Sequence, residues 1–153
     1  DLDKAKENDV PMRAWSILQK GEEVCIDNRV YTPEMVLGEA RKGLKVTYCT
    51  DTRPVPEISG YAKGADLFIC EGMYGEKEQL DKAKENRHMM FTEAASMAKE
   101  AEVGELWLTH YSPSLIKPEA YMDEVKAIFP QAKAGKDRKS LYLTFEKEKA
   151  ETE

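Results

Sequence analysis

The amino-acid sequence predicts an α/β layer protein, and three observations carry the prediction. Three short runs, KVTYCT, ADLFIC and ELWLT, are rich in apolar and β-branched residues. They are nearly continuous in such residues rather than alternating, as strands covered by helices should be. Stretches of helical composition separate them, so strand and helix alternate over most of the chain.

Each element follows from local chemistry. Residues 1–8 carry charged helix formers behind Asp1, a side chain able to cap them. Pro11 opens a second short helix whose apolar residues Met12, Trp15, Ile17 and Leu18 fall mostly on one face, with Gly21 as its stop. EEVCI and RVYT flank the dipeptide Asp27-Asn28 and read as a hairpin. TPEMVLG reads as one helical turn, KVTYCT as a strand, VPEISGYAKG as a helix ending at Gly64, and ADLFIC as a second strand. A charged helix over residues 76–86 and an alanine-rich one over 92–102, with Thr92 as its cap, flank His88. After the ELWLT strand, KPEAYMDEVKAIF is amphipathic through Ala120, Val125, Ile128 and Phe129, and SLYLTF reads as a last strand. The segment EKEKAETE, residues 146–153, reads as a solvated tail. DKAKEN occurs at both Asp3 and Asp81, but nothing around the copies matches, so no repeat is inferred.

Composition narrows the function. A chain of 153 residues fits one ordinary core. Lys and Arg total 23 against 29 Asp and Glu, a net charge of −6, which argues against a dedicated nucleic-acid binder but not against an enzyme whose RNA-gripping part lies elsewhere. Cys25, Cys49 and Cys70 show no CxxC spacing and sit in strand-like runs, so they read as reduced core thiols of a cytoplasmic protein. No run approaches the roughly 20 apolar residues of a membrane span. The chain opens on DLDKAKEND without methionine and reads as a fragment.

The polar residues gather where sites are built. KVTYCT runs into Asp51, Thr52 and Arg53; ADLFIC runs into Glu71; ELWLT runs into His110. Strand carboxyl ends form the functional edge of α/β sheets, so three strands deliver an aspartate, a glutamate and a histidine to one edge. His88, in the loop between two helices, can return to that edge. Each residue alone has an ordinary structural reading, as a turn former, a helix-dipole partner, a surface histidine or a core histidine. Four such readings at once are less economical than one shared site. Aspartate and histidine are ligands that divalent zinc or manganese accepts, yet two are too few for a catalytic metal, which takes about three protein ligands.

In order and spacing, DLDKAKENDVPMRAWSILQKGEEV, KVTYCTDTRP, KGADLFICEGMY, RHMMFTEAASMAKEA and LWLTHYSP resemble the C-terminal half of the ribonuclease Z family. These are tRNA 3′-processing endonucleases of metallo-β-lactamase fold, and the resemblance runs from residue 1 to about Phe145. It implies an αββα sandwich of which residues 1–145 form the C-terminal half, a mixed sheet with helices on its outer face. It implies Asp51 as a metal-bridging ligand, His110 as a terminal ligand, His88 as the acid that protonates the leaving 3′-oxygen, and Glu71 as the residue that orients it. Ser112 and Thr52 would contact substrate. The implied cofactors are two divalent ions, zinc or alternatively manganese, completed by ligands outside this chain. The implied partners are the N-terminal half of the fold, precursor tRNA or another phosphodiester, and a second copy in a homodimer, with no membrane.

Departures accompany the matches. The family's His-x-His-x-Asp-His motif belongs to the N-terminal half and is absent here. Where the family reads His-Glu-Ala-Thr, this chain has Cys70, Glu71, Gly72 and Met73. Met89 and Met90 stand in place of a Ser-Thr pair, and Ser114 in place of an arginine. These changes suggest an altered substrate shell, and with it a divergent hydrolase acting on another phosphodiester as the alternative. A non-catalytic binding half is a further alternative. A phosphate-accepting receiver domain fits poorly, because Pro56 and Gly60 fall one residue late and no acidic pair follows a first strand.

Overall fold

A computed structural model describes residues 1–40 and 42–145, which fall into two compact units divided between Lys42 and Gly43. The expected tail over residues 146–153 lies outside the described residues.

In the first unit, helix α1 (Leu2–Glu7) starts at Asp1, whose carboxylate accepts the Lys4 N–H at 3.2 Å. Helix α2 (Met12–Leu18) follows Pro11. Its inward face is Ala14 and Leu18, both fully buried, while Met12 is 77% exposed. The stripe expected through Met12 is therefore corrected to an i, i+4 pair beginning at Ala14. Strands β1 (Val24–Ile26) and β2 (Arg29–Tyr31) form the expected antiparallel hairpin. Asp27 and Asn28 take φ of 51° and 60°, left-handed at both central positions. That backbone matches the right-handed twist of the flanking strands, and Asn and Asp tolerate it. Cys25 is exposed, so the expectation that it is a core thiol fails: a two-stranded hairpin leaves one face uncovered.

The second unit holds a four-stranded parallel sheet, ordered β3 (Val46–Cys49), β4 (Leu67–Glu71), β5 (Glu105–Thr109) and β6 (Ala132–Ala134). Phe68 pairs with Leu106 and Cys70 with Leu108, which puts all four on one face. That face packs with Phe91, Ala94, Ala95 and Ala98 of helix α5 (Phe91–Glu100), whose alanines let the helix lie close to the sheet. Helix α3 (Pro56–Ala62) adds Ala62 to this core and ends before Gly64 at φ 63°, the expected stop. Helix α6 (Met122–Ile128) adds Met122 and Val125.

Three sequence expectations are corrected here. The charged helix of 76–86 is a 3-10 turn, Lys77–Gln79, followed by helix α4 (Leu80–Glu85). Thr92 does not cap α5: the cap is Met90, whose N–H is taken by the Glu93 carboxylate at 2.9 Å. SLYLTF forms no strand among the described residues, and the strand beside β5 is instead the short Ala132-Lys133-Ala134, which lacks any β-type signature.

Candidate metal centre

Parallel register gathers the site. Cys49 pairs with Cys70, and Glu71 pairs with Thr109. The carboxyl ends of three strands thus fall at one level, and Asp51, Glu71 and His110 leave the sheet side by side. His88 joins them: one ligand-type atom from each of the four residues lies within 4.8 Å of the others.

The four residues divide by environment into two pairs. His110 Nδ1 lies 2.9 Å from Asp51 Oδ1, and both side chains are open to solvent, 39% and 64% exposed. Both residues adopt left-handed backbone, φ 57° and 52°. Asp and His enter that region more readily than most residues, and clustered departures of this kind mark functional sites. Glu71 is fully buried. Its carboxylate accepts the N–H of Thr52 and, at 3.0 Å, that of Met89, and it contacts His88 Nδ1 at 3.1 Å. A carboxylate only accepts, so His88 Nδ1 carries the hydrogen toward it and Nε2 is left for chemistry. With both oxygens occupied, Glu71 is not a free metal ligand. The rings of His88 and His110 meet edge to face with centroids 5.2 Å apart.

The donor set fits a divalent ion in part. Asp51 and His110 offer oxygen and nitrogen from exposed, convergent side chains, the hard and borderline ligands such ions take. Two ligands do not complete a catalytic site, and no other group of His, Cys, Asp or Glu with metal-ligand spacing occurs among the described residues.

Sequence reasoning missed the scaffold around this group. Arg53 grips Glu93 with both arms of its guanidinium, one of them at 2.8 Å, and donates to the His88 carbonyl at 2.6 Å. Forty residues separate Arg53 from Glu93, and no local pattern joins them. The methionines after His88, expected in a substrate shell, lie in the interior instead: Met89 is fully buried and Met90 is 4% exposed. The Thr52 hydroxyl donates to the Arg53 carbonyl at 3.0 Å while its N–H serves Glu71. Ser112 is buried, pairs with Ser114 through their hydroxyls at 2.8 Å, and lines a separate open cavity of about 330 Å³ with Gln79, Lys117 and Tyr121.

Of the three cysteines, all free, Cys70 alone is buried and Cys49 is half-buried. The hydrogen bond with Cys49 and burial together push the Cys70 thiol well above its ordinary range. It is an inert core group, as expected of it.

Residues 14–111 match the model of the β-lactamase superfamily domain. The chain belongs to the β-lactamase superfamily. It is 64% identical over 143 residues, 94% of its length, to ribonuclease Z of Lachnoclostridium phytofermentans, and 54% identical over 146 residues to that of Clostridium acetobutylicum. The resemblance carried by TDTRP, GADLFICE and LTH is thereby borne out. The chain spans about half the length of these relatives, 47% in both cases. Among solved structures it is similar to human short-form tRNase Z, with a TM-score of 0.53 and 25% identity over 67% of this chain and 34% of that one. It is also similar to the metallo-β-lactamase fold protein YhfI of Bacillus subtilis, with a TM-score of 0.52 and 29% identity over 60% of this chain and 36% of that one. No helix among the described residues is long and apolar enough to cross a membrane.

Proposed function

We propose that this chain is the proton-donating half of a ribonuclease Z-like enzyme that removes the 3′ trailer of precursor tRNA by phosphodiester hydrolysis. The observation that carries the reading is the pair of buried Glu71 and half-buried His88 beside the exposed Asp51–His110 pair, within the 4.8 Å cluster. Asp51 and His110 would hold divalent metal together with ligands from the other half of the fold, and the metal would supply an acidified water and charge neutralisation at phosphorus.

The chain's own residues handle the proton. Glu71 fixes the His88 ring through Nδ1, so Nε2 presents its proton to the 3′-oxygen as the bond from phosphorus to that oxygen breaks. Imidazole suits the task because its ordinary pKa lies near working pH. A water oxygen becomes bonded to phosphorus, the 3′-hydroxyl departs protonated, and the 5′-phosphate stays with the trailer. Zinc, with manganese as the alternative ion, a homodimer and a cytoplasmic setting belong to the same reading. The identity to ribonucleases Z over nearly the whole chain favours the tRNA substrate over another phosphodiester. Interior placement of Met89 and Met90 removes one argument for divergence.

Two substitutions in the complete enzyme test the division of labour. Asp51→Ala should abolish metal content and activity together, because a cation site loses its carboxylate. His88→Ala should keep the metal and lower the rate by about a hundredfold or more, the usual scale for a general acid. Retention of full metal by Asp51→Ala, measured by elemental analysis, refutes the ligand assignment.

A further inference from the structure

Three consecutive residues after β3 each grip a different element. Asp51 meets His110 after β5, the Thr52 N–H meets Glu71 at the end of β4, and Arg53 meets Glu93 of α5. Arg53 also donates to the His88 carbonyl at 2.6 Å, so it holds the backbone of the histidine whose ring contacts Glu71.

The segment from His88 to Met90 is held at every backbone polar group that faces this network. The His88 N–H donates to the Ala83 carbonyl at 2.8 Å. Its carbonyl takes Arg53, the Met89 N–H donates to Glu71, the Met89 carbonyl accepts the Met73 N–H at 3.0 Å, and the Met90 N–H donates to Glu93. Arg87, just before, stands at φ 61°, so the chain turns sharply into this segment. Arg53 and Glu93 are each about one-quarter exposed, 26% and 25%. An ion pair this covered, made through a two-pronged fork, is geometrically specific, unlike an exposed lysine pair.

We infer that Arg53, locked by Glu93, is a positioning residue that sets the reach of His88 toward the leaving oxygen. The inference rests on the acid role proposed above for His88. Glu71 fixes how the ring turns, whereas Arg53 fixes where the backbone beneath it sits. Lysine substitutes only in part, because a compact ammonium lacks the planar fork that serves both carboxylate oxygens and the carbonyl in one fixed geometry. A displacement of about 1 Å in a catalytic group can cost on the order of a hundredfold in rate.

The test compares two substrates in the complete enzyme. Precursor tRNA has an alkoxide leaving group that needs a proton, whereas bis(p-nitrophenyl) phosphate has a leaving group that does not. Arg53→Met should lower kcat on precursor tRNA by about tenfold or more with KM and metal content within about twofold, and leave the nitrophenyl rate within about twofold. Arg53→Lys should fall between, and combining Arg53→Met with His88→Ala should add little to the loss from His88→Ala alone, since both disable one act. Glu93→Gln, which keeps the shape and removes the charge, provides the same comparison should Arg53→Met fail to fold. Equal loss on both substrates, or a change confined to KM, overturns the positioning role. A His88→Ala variant that loses equally on both substrates overturns the acid reading instead, so the two failures are told apart.

Discussion

Glu71 shows what a single residue is asked to do at this sheet edge. A carboxylate removed from water is costly unless its lone pairs are taken up, and here two backbone N–H groups and an imidazole take them. Glutamine has nearly the same shape but one acceptor oxygen fewer, and its amide N–H₂ would face the N–H of Thr52 or Met89. Glu71→Gln should therefore destabilise the protein by about 1–3 kcal/mol, the cost of a buried donor left unsatisfied, and release the His88 ring. Denaturant unfolding of the variant checks this, and an unchanged midpoint would show that neither N–H depends on the charge. At this scale the sequence is informative where chemistry sits at strand ends. Asp51, Glu71 and His110 follow apolar runs, and His88 is conspicuous because the chain has only two histidines. Glu93, and with it the role of Arg53, escapes notice because a pair distant in sequence has no pattern until the fold joins it. Met89 and Met90 mislead because apolar residues beside the histidine proposed as the acid look like a lost substrate contact, whereas those positions are buried.

Among the elements, the seam between β5 and β6 explains both a misreading and a measurable pH dependence. The pair Leu108 and Ala134 ends the ladder, and the Gly135 N–H then donates to the Leu108 carbonyl at 2.8 Å. A Cβ at Gly135 would stand 2.5 Å from that oxygen, so only glycine permits the approach. Apolar, β-branched SLYLTF looks more like a strand than AKAG does, but tertiary pairing decides short strands more than propensity. The Tyr111 hydroxyl adds to the seam, lying 2.6 Å from the Leu108 carbonyl and 3.1 Å from that of Gly135. Burial pushes the Tyr111 phenol up from 10.0 to about 12. A pKa raised on folding means that the unfolded chain releases this proton first. The contribution of Tyr111 is therefore complete below pH 10.0 and fades as pH climbs through about 12. The stability difference between the wild type and Tyr111→Phe should be constant below pH 10.0 and shift against the wild type across that window. Unfolding curves at a series of alkaline pH values measure it; a difference that does not vary with pH would mean that the phenol is not held by this seam.

For the whole molecule, the deciding quantity is how many ligands the chain brings. It spans about half the length of its ribonuclease Z relatives, and within the described residues Asp51 and His110 are the pair left open to a metal once Glu71 is committed to His88. A catalytic zinc takes about three protein ligands, so two residues bind such an ion weakly, and a pair of incomplete sites loses hydration without full coordination. The edge of the sheet tells a similar story, since Val46 and Tyr48 on the edge strand β3 are 54% and 65% exposed, apolar side chains of the kind one layer of a sandwich covers with the next. The class and the functional edge were legible because short apolar strands announce themselves. Completeness was not, since ligands on another segment leave no trace in this one. The purified chain should accordingly self-associate and hold zinc weakly, and mixing it with the N-terminal half of the fold should restore tight metal binding and phosphodiesterase activity together. Light scattering with metal analysis decides: a monodisperse monomer retaining two tightly bound zinc ions would mean that residues of this chain other than Asp51 and His110 complete the centre.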